Sequence, residues 1–171
     1  MIIESSQLTD IRTLHKEKTI VFCSGVFDLL HFGHVVFLSG CKKQGDYLVV
    51  AIGNDITVRQ YKGSNRPIWN ESIRLQMVNA LKVVDYTVLY QTTQNHPLVL
   101  DEQLLQDLQP DVYAIGWDTF HRELRQELAH KYHMKLVLIE ERVVDLSTSG
   151  AINTIRNRYD KIMDQRKTTN S

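Results

Sequence analysis

Cysteine and proline are scarce in this chain of 171 residues, which has two of the first and three of the second. The spacing of Cys23 and Cys41 matches no zinc or redox motif, so we expect reduced thiols and a cytoplasmic location. No apolar run reaches the length that a membrane-spanning helix needs. Residues 1–6 lack a basic region followed by a long apolar core, so we expect no signal peptide. These absences exclude a disulfide-stapled domain and a membrane partner.

An excess of either charge is also missing, because 20 basic residues balance 20 acidic ones. General nucleic-acid binding needs a positive field, so we expect no nucleic-acid partner. Apolar residues make up 43% of the chain and charged residues 23%, as in ordinary globular proteins. We therefore expect a single domain over residues 1–171, with its core at about 19–160 and a polar tail that frays.

Strand patterns alternate with helix patterns along the chain. The predicted strands are 19–24, 47–52, 86–90, 112–115 and 135–139, and the predicted helices are 33–44, 71–83, 98–108, 120–132 and 147–163, with a further short helix at about 8–14. We expect residues 53–69 to form a loop with a brief helical piece. Right-handed βαβ units of this kind build an α/β fold with a doubly wound parallel five-stranded sheet and helices on both faces. Ligands bind such sheets beyond the carboxyl ends of the strands, at the switch point.

The stretch from Cys23 to His34 carries the clearest chemical signal. An apolar strand ends at Gly25, and a short connection leads to His31 and His34 at a predicted helix start. A helix N-terminus presents unpaired N–H groups and a partial positive charge, which favours phosphate. Two imidazoles can donate to the same phosphates, and Gly33 between them lets the backbone approach closely. This arrangement predicts phosphoryl or nucleotidyl transfer.

These residues resemble the cytidylyltransferase-like nucleotidyltransferases, a branch of the HIGH superfamily with a Rossmann-like fold. The resemblance spans about residues 19–159, with further motifs in matching order: Tyr61-Lys62-Gly63, Arg74, Gly116-Trp117-Asp118 and Ser147-Thr148-Ser149. It implies transfer of a nucleoside monophosphate from ATP or CTP to a phosphorylated sugar or alcohol, with release of pyrophosphate. It also implies Mg²⁺ that enters with the nucleoside triphosphate, and a homodimer.

The resemblance assigns roles to individual residues. His31, His34 and Lys62 are the predicted catalytic groups. The predicted nucleotide-binding residues are Gly25, Val26, Phe27, Gly33, Arg74, Gly116, Asp118, Ser147, Thr148 and Ser149. Asp28 and Trp117 are predicted to border the acceptor substrate, with Asp28 close to the acceptor or a metal. The sequence shows no dedicated cluster of metal ligands.

Several residues keep a plainer reading beside the functional one. Asp28 can be a turn residue, Trp117 can pack in the core, and Ser147, Thr148 and Ser149 can serve as N-caps. From composition alone, Arg59 and Lys62 read as a solvated basic loop. Arg66 stands evenly between a loop arginine and a phosphate ligand.

The nucleotide and the acceptor stay open between two groups within the family. Arg66-Pro67 and residues 80–85 resemble heptose-phosphate adenylyltransferases and archaeal-type FAD synthetases. Cytidylyltransferases for glycerol-, choline- or ethanolamine-phosphate are resembled by residues 25–34, the Tyr61-Lys62-Gly63 motif and Arg142, although Val143 and Asp145 depart from that pattern. We favour ATP and a sugar phosphate such as heptose phosphate. A non-catalytic nucleotide sensor is the alternative of another class, and it ranks lower because the phosphate-handling residues are present.

Overall fold

A computed structural model describes residues 1–90, 102–117, 119, 121–141, 143 and 148–169, with Tyr61 and residues 163–169 described for their backbone alone. The strands are β1 (Ile20–Gly25), β2 (Tyr47–Gly53), β3 (Tyr86–Tyr90), β4 (Val112–Gly116) and β5 (Lys135–Ile139). The helices are α1 (Leu8–Leu14), α2 (Phe32–Lys42), α3 (Asp55–Lys62), α4 (Glu71–Asn79), α5 (Glu102–Leu108), α6 (Arg122–Lys131) and α7 (Thr148–Thr169), and a 3-10 turn at Ser5–Gln7 precedes α1.

The five strands form one parallel sheet in the order β3-β2-β1-β4-β5, which confirms the predicted fold class. The order reverses between β1 and β4, so the switch point lies there. β1 pairs with β2 from Ile20 to Gly25, but it pairs with β4 at Val21 and Phe22 alone. Because the carboxyl ends of β1 and β4 no longer pair, a crevice opens between them, where ligands bind in sheets of this kind.

Two hydrophobic clusters cover the two faces of the sheet. One contains Phe22 and Tyr113 with buried residues of α1, α5 and α6. The other contains Cys23 and Val50 with buried residues of α2 and α4. Successive strand residues alternate between the clusters because side chains on a strand point to opposite faces in turn. The core reaches further toward the N-terminus than predicted, since Ile3, Leu8 and Ile11 are buried in the first cluster.

The structure gives three elements bounds that the sequence did not predict. The brief helical piece expected within residues 53–69 covers residues 55–62, because the Asn54 side chain caps its N-terminus by accepting from the Thr57 N–H at 2.8 Å. The helix predicted at 71–83 ends at Asn79, since the chain must turn so that the Asp85 N–H donates to the Leu48 carbonyl at 3.1 Å.

The last helix continues to Thr169, beyond its predicted end at about residue 163, and the fraying of the tail stays a prediction. After Gly150 this segment contains neither glycine nor proline to stop the helix, and it holds several good helix formers. Residues 98–101, Phe120 and Ser147, which were predicted to be helical, lie outside the described residues. Within the part of the chain that the structure describes, no helix has the length and apolarity to cross a membrane.

Candidate active site

A cavity of about 320 Å³ opens at the carboxyl ends of β1 and β4. It brings together many residues that the sequence predicts for the site: Gly25, Val26, Phe27, His31, Gly33, His34, Lys62, Gly116, Trp117, Thr148 and Ser149. Residues more than a hundred positions apart in the sequence therefore face one space. The predicted Asp118 and Ser147, together with Arg142, lie outside the described residues.

The imidazoles of His31 and His34 stack at the N-terminus of α2, with ring centroids 3.8 Å apart and an interplanar angle of 21°. The His31 backbone N–H donates to Nδ1 of His34 at 3.3 Å. Because Nδ1 accepts, the proton of the neutral His34 ring belongs on Nε2. Burial, together with nearby His31 and Lys62, lowers the pKa of His34 to about 4. At neutral pH this ring is therefore an uncharged hydrogen-bond donor.

Phe27 and Gly25 shape the wall of the cavity beside His34. Phe27 has a φ of 50°, in the left-handed region that few residues with a side chain adopt. Its ring meets the His34 ring edge-on, with centroids 5.2 Å apart. A Cβ on Gly25 would lie 2.8 Å from Cε2 of Phe27, so position 25 has no room for a side chain without moving the ring. Gly25 thus lets Phe27 support the histidine.

Lys62 lies at the last position of α3 and lines the cavity with an exposed side chain. Its charge reaches His34, because it contributes to lowering the pKa of that ring. Arg59, one turn earlier, pairs with Asp55 at 3.7 Å and is not among the cavity-lining residues. Lys62 therefore lines the cavity and Arg59 does not, which agrees with the family motif, since the motif assigns a role to Lys62 alone.

Arg74 lies away from the cavity lining, although the sequence predicts that it binds nucleotide. Its side chain is 0% exposed. Nε donates to the Trp69 carbonyl at 3.0 Å, Nη1 to the Val26 carbonyl at 2.7 Å, and Nη2 to the Asp55 carboxylate at 2.8 Å. All three guanidinium nitrogens therefore bind protein groups, and Arg74 ties a cavity-lining backbone to the start of α3. Direct contact with phosphate stays a prediction, and this geometry does not favour it.

Asp28 is also directed away from the cavity lining and is 3% exposed. Its carboxylate accepts from Nη1 of Arg66 at 2.8 Å, from the Ile68 N–H at 2.7 Å and from the Trp69 N–H at 3.1 Å. The aspartate therefore joins the loop after β1 to the segment before α4, and these bonds do not lie within its own loop, as a turn residue would place them. Contact of Asp28 with the acceptor or a metal stays a prediction. Arg66 likewise forms an ion pair with Asp28 in the described fold.

Trp117 and the start of α7 complete the cavity. Trp117 is 46% exposed, which argues against the alternative of core packing. Thr148 and Ser149 line the cavity at the first positions of α7. Hydroxyl groups and unpaired N–H groups at a helix start suit a polyphosphate.

Sequence reasoning missed Arg125, which lines the cavity from α6. Nη1 of Arg125 donates to the Tyr113 hydroxyl and lies 3.4 Å from Oγ of Ser24. A signal was available in the sequence, because Arg125 precedes the buried Leu128 and Ala129 by three and four positions. A cation on the apolar face of a helix is uncommon without a polar partner or a ligand.

Mg²⁺ needs oxygen ligands, and the described cavity supplies one carboxylate, that of Glu141, which also lies 3.8 Å from Nζ of Lys43. Among the described residues no group of three or more histidine, cysteine, aspartate and glutamate side chains is arranged to hold a metal. This donor set fits a Mg²⁺ that is held mainly by nucleotide phosphates and water.

A stacked pair of imidazoles, a lysine and two helix N-termini at the switch point of a parallel sheet define a nucleotidyltransferase. The chain belongs to the cytidylyltransferase-like family, whose sequence model matches residues 22–167.

Comparison with known proteins supports that membership. The bifunctional protein HldE of Syntrophotalea carbinolica is 36% identical over 146 residues, which cover 84% of this chain and 28% of that protein. HldE of Campylobacter fetus is also 36% identical, covering 85% of this chain and 30% of that protein. The chain therefore spans less than a third of these curated relatives.

Two solved structures share the fold. The lipopolysaccharide core biosynthesis protein of Thermoplasma volcanium is 32% identical with a TM-score of 0.62, over 74% of this chain and 99% of that one. The pantoate-beta-alanine ligase of Francisella tularensis has a TM-score of 0.62 over 86% of this chain and 70% of that one. At 19% identity the ligase supports the fold alone.

Proposed function

We propose that this protein transfers AMP from ATP to a heptose phosphate and releases pyrophosphate. The observation that carries the proposal is the stacked pair of imidazoles at the N-terminus of α2, inside a cavity at the switch point. The similarity to HldE and to a lipopolysaccharide core biosynthesis protein supports a phosphorylated sugar as acceptor. The resemblance of Arg66-Pro67 to heptose-phosphate adenylyltransferases supports the same choice.

The reaction is an in-line displacement at the α-phosphorus. An oxygen of the acceptor phosphate forms a bond to that phosphorus, and the bond to the oxygen that bridges the α- and β-phosphates breaks. The electron pair leaves with pyrophosphate. No residue of the enzyme forms a bond in this step, so catalysis consists of positioning and charge stabilisation.

Polar and charged residues of the cavity take part through their hydrogen bonds or their charge. Nε2 of His34 donates to a phosphate oxygen as charge moves to the leaving group, and His31 stacks beside it and donates in the same region. The Lys62 ammonium offsets the charge of two approaching anions. Thr148 and Ser149 bind the triphosphate with hydroxyl and N–H groups. Mg²⁺, when bound with ATP, neutralises phosphate charge.

Pyrophosphate release from the purified protein tests this function. ATP and CTP are each paired with a heptose phosphate and with glycerol 3-phosphate, with Mg²⁺ or with excess EDTA. We expect release with ATP, heptose phosphate and Mg²⁺, and a loss of release in EDTA. Higher turnover with CTP and glycerol 3-phosphate would replace the proposal by the cytidylyltransferase alternative, and nucleotide binding without any release would favour the sensor.

His34→Ala tests the role of the imidazole pair. Removing one preorganised donor to transition-state charge lowers turnover by about 10²- to 10³-fold. His130→Ala is the matched control, because His130 is exposed on α6 and does not line the cavity. Wild-type turnover in His34→Ala would refute the assigned role. We also propose a cytoplasmic homodimer, for which sedimentation velocity is the test of oligomeric state.

A further inference from the structure

Arg125 is a cation inside the cavity that neither the family motifs nor the predicted site includes. It is half-buried on α6 and lines the same space as His31, His34 and Lys62. Within the described part of the chain, no carboxylate forms an ion pair with it. A partly buried charge without a counter-ion is costly, so its retention in a cavity indicates an anionic ligand.

Two side chains, those of Tyr113 and Ser24, hold the guanidinium of Arg125. The hydroxyl of Tyr113, a residue that is 0% exposed, accepts from Nη1, and Oγ of Ser24 lies 3.4 Å from the same nitrogen. The guanidinium carbon is 5.7 Å from the Tyr113 ring centroid. Within the described residues, Nε and Nη2 have no hydrogen-bond partner. The side chain is therefore oriented by one nitrogen, and its other donors remain for a ligand, as in bidentate recognition of phosphate.

Arg125 and the histidines reach the cavity from opposite faces of the sheet. α6 buries Leu128 and Ala129 in one hydrophobic cluster, whereas α2 buries Leu38 and Cys41 in the other. In an in-line displacement the attacking group and the leaving group lie on opposite sides of the α-phosphorus. If the histidines of α2 bind the leaving pyrophosphate, the anion opposite them belongs to the attacking acceptor.

We propose that Arg125 binds the phosphate group of the acceptor substrate, and that Tyr113 and Ser24 position it for this contact. The proposal rests on the proposed nucleotidyltransferase function. In this proposal the phosphate that Arg125 binds belongs to the acceptor. The alternative is that it belongs to the nucleotide, and the experiment distinguishes the two.

Steady-state kinetics of Arg125→Gln separate the two sources, because the variant loses the charge and keeps a polar side chain of moderate length. Pyrophosphate release is measured while ATP and heptose phosphate are varied in turn. Loss of charge-assisted hydrogen bonds raises the acceptor KM by about ten- to a hundredfold and leaves the ATP KM within about twofold. Lys131→Gln is the control, since it removes an exposed cation from the same helix away from the cavity.

Two further variants protect the test against misfolding and separate positioning from binding. Arg125→Lys keeps the charge without the planar fork, so its acceptor KM should lie between those of the wild type and Arg125→Gln. Tyr113→Phe removes the hydroxyl that holds Nη1, so it should raise the acceptor KM with little change in kcat. Equal losses in all kinetic constants for Tyr113→Phe would instead indicate a structural role and contradict the positioning argument.

The kinetic results distinguish failure of the Arg125 assignment from failure of the proposed nucleotidyltransferase function. A folded Arg125→Gln with an unchanged acceptor KM, or with a raised ATP KM alone, overturns the acceptor assignment while the wild type still turns over. A wild type that releases no pyrophosphate with any nucleotide and acceptor pair overturns the proposed function itself. An acceptor KM that rises alone supports both.

Discussion

Replacing Arg74 with leucine should destabilise the fold by about 3–5 kcal/mol, because it removes one member of a buried, hydrogen-bonded charge pair. The guanidinium is 0% exposed and its Asp55 partner 16% exposed, at 2.8 Å. The same substitution leaves the carbonyls of Val26 and Trp69 without their donors. Each unsatisfied buried group adds about 1–3 kcal/mol, offset in part by the apolar leucine side chain.

Arg59 provides a control on the same carboxylate. It lies 3.7 Å from Asp55, and its side chain is 55% exposed. An exposed pair of this kind contributes at most about 1 kcal/mol, so Arg59→Gln should have a small effect. The difference in lost stability between the Arg74 and Arg59 variants therefore reports burial and hydrogen bonding at Asp55 rather than charge alone.

Urea unfolding of the wild type, Arg74→Leu, Arg74→Lys and Arg59→Gln gives the free energies of unfolding. Lysine keeps the charge but cannot serve three separated acceptors, so Arg74→Lys should fall between the wild type and Arg74→Leu. A loss below about 1 kcal/mol in Arg74→Leu would refute the argument from burial. Unchanged stability with a raised ATP KM in Arg74→Lys would restore the prediction that Arg74 contacts phosphate.

Two further predictions concern the wall of the cavity at His34 and Gly25. Because the pKa of His34 is lowered from 6.5 to about 4, mainly by burial, the unfolded chain takes up this proton first as the pH falls. The neutral His34 ring therefore contributes its full stability above about pH 6.5 and loses it between about pH 6.5 and 4. In that window the free energy of unfolding should fall more steeply with decreasing pH in the wild type than in His34→Asn. Equal slopes would contradict the lowered pKa of His34. Gly25→Ala should lower turnover at least about tenfold and stability by about 1–3 kcal/mol, because its Cβ would displace the Phe27 ring. Gly53→Ala, where the nearest atom is the end of the Tyr90 side chain at 3.3 Å, should be milder in both assays, and normal turnover in Gly25→Ala would refute the role of Phe27.

Local signals account for most of the fold that sequence reasoning predicted. The apolar run of residues 47–52 and the apolar positions 35, 38 and 41 follow the periods of a strand and a helix, and β2 and α2 confirm them. Predictions failed where the deciding group was distant or at an element end. Asn79 ends α4 because Asp85 must reach Leu48, and no local pattern reports that constraint.

The order of residues along the chain by itself determined the corner at His31 and His34, because strand, glycine and helix start are consecutive and their geometry is local. Tertiary structure alone decided where the charged side chains point. Arg74 and Asp28 bind other groups of the protein, while Arg125 faces the cavity. A buried charge pairs with the group that the packed elements bring near it, because the free-energy cost of burying it unpaired exceeds the effect of any local conformational preference.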